Sequence, residues 1–379
     1  MNTQVEVANT VKMLIDLITN ARTVPVVFDV NEEQKYNVNF KNGLYDMKKG
    51  EFRERTQADY VTKFLDWNYS KDVSQNALED IEDCFKKIQP DELDRCYCLN
   101  YLAYSLTGDC GKQIFKINYG PSASNGKSTE LAIHSICFPV YCAKLNRQSF
   151  CKDYAKKHKE FIGLIRNPVR LAYMEEIERK KLDSEEIKDF VDARAFPVEV
   201  MFGTKEERPL QAKLAVTTNK VLSVETDEGI LRRGTVQEYR SRFGTRQDGV
   251  TIIEEDDWIN NEFVKVKNYE ARFEKESYKN AYFHYLLKFY DLDFKIPDKN
   301  KKMFKETAEN SDDFLDVLET KLKLTKNSDD CVYKDKMKKL FEESDVDWKE
   351  AQSRLREKGI MYDKARRCGK DDAENAGKR

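Results

Sequence analysis

The chain has 379 residues, 66 Lys and Arg against 68 Asp and Glu, a net charge of -2, and 40% hydrophobic and 11% aromatic side chains. That length predicts two or three domains, with 21 Phe and 19 Tyr supplying core volume in a chain that is 35% charged. The charge balance excludes a uniformly basic nucleic-acid binder, the absence of any run of ~18 apolar residues predicts no membrane span, and MNTQVEVANT lacks the basic-then-apolar order of a secretory leader.

Residues 11–18 carry a helical apolar pattern (Val11, Leu14, Ile15, Ile18), followed by the apolar run 24–28. Over 38–52, alternating Val38 and Phe40, then Asn42-Gly43, then Leu44 and Tyr45 predict short strands joined by a tight turn. Residues 77–106 are helical by period, with Asp91 as a cap and Gly108 as the stop. A strand over 113–119 then runs into GPSASNGKST, 120–129, and directly into a helix over 127–136. Further strands are expected at 170–174 and 213–217, with helical segments between them. This alternation predicts an α/β core with a parallel sheet. Beyond Phe243 the chain reads as helical and charged, a last unit occupies about 312–370, and the small polar residues after it form a frayed tail. The nine cysteines are scattered without a CxxC pair, and only His134, His158 and His284 accompany them. A zinc site is not expected, and a reducing compartment is.

The order strand, glycine-bearing loop, helix is that of a phosphate-binding loop. Backbone N–H groups and the helix N-terminus favour phosphate oxygens; Lys127 would reach the β/γ-phosphates and the Ser128 hydroxyl would hold Mg²⁺. Pro121 stands where the strict pattern has its first glycine, so the loop is one residue longer from Gly120, or Pro121 replaces that glycine. The strand at 170–174 ends in Glu175 and Glu176, the carboxylates that a metal-and-water site needs, and it is expected beside the loop strand. Asn219 ends the third strand, placed for the attacking water or the γ-phosphate. Arg232 and Arg233 follow a short apolar step and could offer charge to a transition-state phosphate across a subunit interface, Arg233 first and Arg232 in reserve.

In order, these segments resemble the superfamily 3 helicases, an AAA+ branch, and more closely the helicase half of the poxvirus-type primase-helicases of large DNA viruses and some phages. The segments are KNGLYD (41–46), 66–69, the helix with LAYSLTG (102–108), the loop 119–129, 170–176, 213–219 and 227–243; Tyr239 stands where Phe is more usual. The resemblance covers about residues 35–370. It implies an AAA+ P-loop core at 109–250 with a parallel sheet. A small, mostly helical, collar-like domain (1–108) precedes it, a helical connector (251–310) and a winged-helix domain (311–370) follow, and 371–379 is a disordered tail. It implies ATP and Mg²⁺ as cofactors. Gly120, Ser124, Asn125, Gly126, Lys127, Ser128 and Thr129 would bind nucleotide, and Ser128 and Glu175 the metal. Glu176 would be the base, assisted by Glu175 and Asn219, with the arginines completing the site.

The implied assembly is a homo-hexameric ring on single-stranded DNA, with a primase on a separate chain as a further partner and no membrane. The implied place is intracellular, at a viral replication site in host cytoplasm or nucleus. A hairpin over 202–210 with Lys205 at its tip, and Lys213 behind it, would face the strand; an exposed charged turn is the plainer reading of the same residues. Residues 331–370 hold twelve basic and eight acidic side chains. Lys364, Arg366 and Arg367 form their densest basic strip, placed to meet DNA or to dock a protein. Two rival functions share most of these features: an AAA+ ATPase that does not unwind, such as an initiator or packaging motor, and a DNA-binding scaffold with a decayed nucleotide pocket.

Overall fold

The computed structural model describes residues 28–30, 32–151, 154, 157–176, 182–199, 205–219, 227–246, 248–309, 317–318, 321–322, 332, 334–344, 346–357 and 360. After a short 3-10 helix (Glu32–Tyr36) come three antiparallel strands, β1 (Asn37–Phe40), β2 (Gly43–Asp46) and β3 (Glu51–Arg53). Phe40 pairs with Gly43, so the two-residue turn is Lys41-Asn42, and Gly43 already belongs to β2. The Asn42 amide bonds both the N–H and the C=O of Tyr69, which pins the turn to the segment behind it. Helix α1 (Gln75–Ile88) starts at the Ser74 cap and buries Ala77, Ile81, Phe85 and Ile88, one helical stripe. Helix α2 (Glu92–Tyr104) is capped by Asp91, whose carboxylate accepts the Asp94 N–H at 2.9 Å. It ends at Tyr104 rather than Gly108. Just beyond it the carbonyls of Leu106 and Thr107 are taken by the buried Arg170 guanidinium and the buried Lys213 ammonium. Among the described residues this N-terminal region is a small three-stranded sheet with two helices.

The central sheet follows. Its strands and connections, in chain order, are β4 (Phe115–Tyr119), α3 (Lys127–Cys137), β5 (Cys142–Lys144), α4 (Lys157–Ile165), β6 (Leu171–Glu175), α5 (Ser184–Val191), the hairpin β7 (Ala195–Glu199) and β8 (Lys205–Pro209), β9 (Lys213–Thr218), α6 (Glu228–Arg233) and β10 (Gly234–Glu238). Five strands pair in parallel in the order β10-β4-β9-β6-β5. All six residues of β9 are buried, as expected of a central strand covered on both faces. The α/β core with a parallel sheet is as expected, but β4 lies between β9 and β10. The carboxylate strand β6 is therefore one strand removed from the loop strand, with β9 between them.

Beyond the sheet come β11 (Arg242–Phe243) and β12 (Glu262–Phe263), then α7 (Glu276–Leu287) and α8 (Asp298–Glu309). The expected connector is two docked helices. Helix α7 completes the N-terminal core: Phe283 meets Phe40 edge-on at 5.0 Å, and Tyr282 stacks on Phe85 at 5.7 Å. That same core takes in Ile133, Cys137 and Phe138 from α3 and its end, so residues before and after 108 share one apolar interior. Helix α8 covers the other side, with Phe304 edge-on to Phe115 at 5.4 Å. Two further helices, α9 (Lys334–Glu342) and α10 (Trp348–Glu357), pack around Phe341, Ala351 and Leu355. The expected wing, with Lys364, Arg366 and Arg367, lies outside the described residues. Among the described residues no helix is long and apolar enough to cross a membrane.

Helix α3 is held on β4 by a fully buried ion pair. Lys116, in the middle of β4, lies 3.3 Å from Glu130, three residues after Lys127. The second oxygen of Glu130 accepts from the Tyr239 hydroxyl at 2.5 Å and the Cys98 thiol at 2.9 Å. Tyr239, in place of the more usual Phe, thus supplies a bond to a buried carboxylate. Glu130→Ala leaves Lys116 charged and unpaired and should cost about 3–5 kcal/mol in urea unfolding, whereas Lys116→Met with Glu130→Leu should recover most of it. A Glu130→Ala loss below about 1 kcal/mol would show that the pair does not hold the helix.

Candidate phosphate-binding site

Strand β4 delivers the loop 120–126 to the carboxyl edge of the sheet, where the Gly120 N–H donates to the Thr218 carbonyl at 3.2 Å. Ser124 and Gly126 both have positive φ, +55° and +92°. Gly126 caps α3, and a Cβ there would sit 2.8 Å from Ile88, so backbone conformation and space both ask for glycine. A Cβ on Gly120 would lie 2.1 Å from the Asn125 amide and 2.8 Å from the Lys127 ammonium. The close approach that the strict pattern assigns to its first glycine is thus met by Gly120, and Pro121 is an exposed extra residue.

Lys127 is buried, and its ammonium donates to the Gly120 carbonyl (3.2 Å), Asn125 Oδ1 (2.9 Å) and Asn219 Oδ1 (2.8 Å). The first and third predicted motifs therefore meet across the sheet. All three acceptors are neutral, and burial lowers the Lys127 pKa to about 8. Among the described contacts no backbone N–H from Ser122 to Ser128 has an acceptor. A buried cation without an anion, facing a row of open N–H donors at a helix N-terminus, fits the polyphosphate of a nucleotide. Ser128 is exposed and Thr129 half-buried on the first turn of α3.

Glu175 ends β6, and its carboxylate is ion-paired with Lys144 of β5. Two residues earlier, the Tyr173 hydroxyl accepts from Ser135 of α3 at 3.2 Å. Strand alternation therefore sends Glu175 to the α3 side of the sheet. Glu176 follows in the left-handed region (φ +51°), is exposed, and pairs with Arg147 at 3.2 Å. The two carboxylates stand at the same edge of the sheet as the loop, because Glu175 pairs with Thr217 and Tyr119 pairs with Thr218. Among the described residues no three His, Cys, Asp or Glu side chains converge as a metal site. A magnesium ion would be held by the Ser128 hydroxyl together with phosphate oxygens.

The arginines are placed otherwise than expected. Arg233 is buried and bidentate to Asp192 (2.8 and 2.7 Å), with a third bond to the Gly229 carbonyl at 2.8 Å. Arg232 is the exposed one, touching Gln113 at 3.2 Å. Both precede β10, whose first residue pairs with Phe115 at the start of β4 and whose last pairs with Tyr119 beside the loop. Within one chain they therefore lie at the opposite end of the sheet from the phosphate loop. Lys205 is the first residue of β8, opposite Glu199, in a hairpin that begins at Ala195; it is not the tip of a 202–210 turn. Lys213 is not available to a DNA strand. It is buried beneath the Tyr104 ring (4.8 Å) and bonded to Thr107, and burial lowers its pKa to about 7.

Sequence reasoning passed over Lys116, Glu130, Lys144, Arg147 and Asp192. Lys116 did leave a signal, a charge in the middle of the apolar strand QIFKINY. Lys144 and Arg147 left none, because only the pairing of β5 with β6 brings them to the carboxylates.

The low pKa of Lys127 sets a pH test. Below about pH 8 the free site carries the ammonium that phosphate recognises; above it the free site loses that proton, while a bound polyanion retains it. Affinity for a non-hydrolysable nucleotide should be flat from pH 6 to 7.5 and fall by up to about tenfold per unit above pH 8. Lys127→Arg, charged throughout, should remove that fall. Calorimetric titration at three pH values checks both.

Residues 5–92 match the family model described as D5 N terminal like. Over 98 residues the chain is 33% identical to the helicase-named protein L207/L206 of Acanthamoeba polyphaga mimivirus, covering 26% of this chain and 10% of that protein. Over 102 residues it is 30% identical to the helicase-named protein 121R of Invertebrate iridescent virus 3, covering 26% and 11%. The matched stretches thus span about a tenth of either relative's length. Among solved structures, the apo C-terminal region of NrS-1 aligns with 80% of this chain and 66% of that one, at 9% identity and a TM-score of 0.44. The N-terminal segment of the chain is thus similar to D5-like proteins and to helicase-named proteins of large DNA viruses.

Proposed function

We propose that the chain is an ATP-dependent DNA helicase of viral replication, acting as a homo-hexameric ring on single-stranded DNA with ATP and Mg²⁺. The observation that carries this reading is Lys127. Its buried ammonium has only neutral oxygens around it, at the head of a loop of open N–H donors, and Asn219 of the third motif is one of them. The similarity of the N-terminal segment to D5-like and helicase-named viral proteins supports the step from nucleotide site to helicase.

In the proposed reaction the loop N–H groups and Lys127 bind and neutralise the β/γ-phosphates, releasing Asn219 to orient the attacking water. Magnesium, when bound, supplies charge for the phosphate oxygens. A carboxylate at the end of β6 takes the water's proton. Glu175 is our choice of the two because it lies on the α3 side of the sheet, and it acts once it leaves Lys144. Glu176 must first leave Arg147 and a left-handed turn. For the finger, Arg232 replaces Arg233, whose pair with Asp192 is internal to the chain. The hairpin β7–β8, with Lys205 at the start of its second strand, and the basic strip Lys364, Arg366 and Arg367 are the proposed DNA contacts.

Lys127→Ala should abolish ATP hydrolysis, and Glu175→Gln should bind ATP but hydrolyse it more slowly than Glu176→Gln does; the reverse order would make Glu176 the base. Strand displacement by the wild type separates a helicase from an ATPase that leaves duplex intact. Arg232→Ala should lower hydrolysis on the order of 10³-fold. Mixing it with Glu175→Gln chains should restore part of the rate, because some interfaces then hold both a good finger and a good carboxylate. A rate that stays at the sum of the two residual activities rejects the finger. Arg233→Ala should instead lower the melting temperature, since it strands Asp192.

A further inference from the structure

Nine large apolar side chains are exposed among the described residues, and they are not scattered. Six fall within 250–266 (Val250, Ile252, Trp258, Ile259, Val264 and Val266), with Ile259 92% and Val250 82% exposed. Two more, Phe28 and Phe64, lie near one another, since Asp29 bonds Thr62 and Lys63. Isolated apolar residues on a surface need no explanation, but two patches do.

The first patch is a lobe, residues 248–266, whose strand β12 pairs with β11. It is fastened rather than loose: Phe243 donates to the Ser124 carbonyl of the phosphate loop at 2.8 Å, Asp256 pairs with Lys87 at 2.8 Å, and Ile253 and Phe263 are buried beneath it. Its exposed apolar residues flank Glu254 and Glu255, which are exposed and meet no cation among the described contacts. The second patch is a groove of about 610 Å³ along the unpaired side of the edge strand β5, with Phe64, Pro139, Val140 and Leu145 in its lining, Lys63 and Lys144 beside them, and one carboxylate, Glu160, which is held by the Ser149 and Tyr154 hydroxyls. Phe28 stands next to it, since Asp29 bonds Thr62 and Lys63. The Lys63 ammonium is held by the Asn167 amide oxygen and meets no carboxylate among the described contacts.

We infer that the acidic, apolar lobe at 248–266 of one copy docks on the basic, apolar groove beside β5 of a second copy of this chain. Each patch supplies what the other lacks: unpaired carboxylates against an unpaired ammonium, and protruding Ile259 and Val250 against an apolar hollow. The patches are two different surfaces of one chain: the lobe sits by the phosphate loop and Lys87, and the groove runs along the edge strand β5. The contact is therefore head-to-tail, and it repeats from copy to copy until it closes. This deepens the ring reading proposed above by naming its surfaces, but it does not require ATP turnover. It also ties the contact to the nucleotide, because the lobe is bonded to the phosphate loop and Lys144 of the groove holds Glu175.

The test is sedimentation of the full chain across a concentration series without nucleotide, with nucleotide binding measured separately. Ile259→Asp, at a solvent-exposed position, should weaken self-association about tenfold or more with the melting temperature and nucleotide affinity unchanged. Lys63→Glu alone, and Glu254→Lys with Glu255→Lys, should each weaken it, and the three changes in one chain should restore it. Wild-type chains that stay monomeric, an Ile259→Asp chain that assembles normally, or a charge reversal that fails to restore assembly each overturn the proposal. Loss of assembly with nucleotide affinity intact bears on the contact alone; loss of nucleotide binding in Lys127→Ala with assembly intact bears on the functional reading alone.

Discussion

The structure turns on a lysine and a glutamate that water cannot reach. Lys116 and Glu130 are both fully buried, and removing either from water is unfavourable unless the partner is in place. Glu130 lies three residues after Lys127, so satisfying it fixes where α3 sits on β4 and hence where the phosphate loop ends. Tyr239 and Cys98 bring the end of β10 and the middle of α2 to the same carboxylate. Four elements of separate origin in the chain therefore share one electrostatic constraint directly beneath the loop.

Two other buried lysines show how the partner decides the role. Lys213 has a carbonyl and an aromatic face, and no phosphate could reach it; with Arg170 it takes up carbonyls that α2 leaves without partners. Lys127 has three neutral oxygens at an edge lined with open donors. The first arrangement is finished, and the second is complete only with an anion. Composition does not separate these cases, since all are lysines in or beside apolar strands.

The N-terminal region is equally bound to the core. Phe40, Phe85, Phe283, Tyr282 and Phe138 form one aromatic interior, to which the N-terminal sheet, α1, α3 and α7 all contribute. The Trp67 indole donates to the Cys137 carbonyl at the end of α3. The end of α3 is therefore tied directly to the segment similar to D5-like proteins.

By itself the sequence determined the local features: the strand–loop–helix around Lys127, the cap at Asp91 and the strand before Glu175. Each is set by neighbours a few residues away, through apolar period, capping chemistry or glycine. Only the tertiary structure decided the rest. It put β9 between the loop strand and the carboxylate strand. It buried Lys213 and locked Arg233 onto Asp192, leaving Arg232 exposed, and it lengthened the hairpin so that Lys205 opens its second strand. These are matters of which strand pairs with which and which charge finds which partner. They depend on contacts between residues far apart in the chain, whose energies no local pattern of residues records.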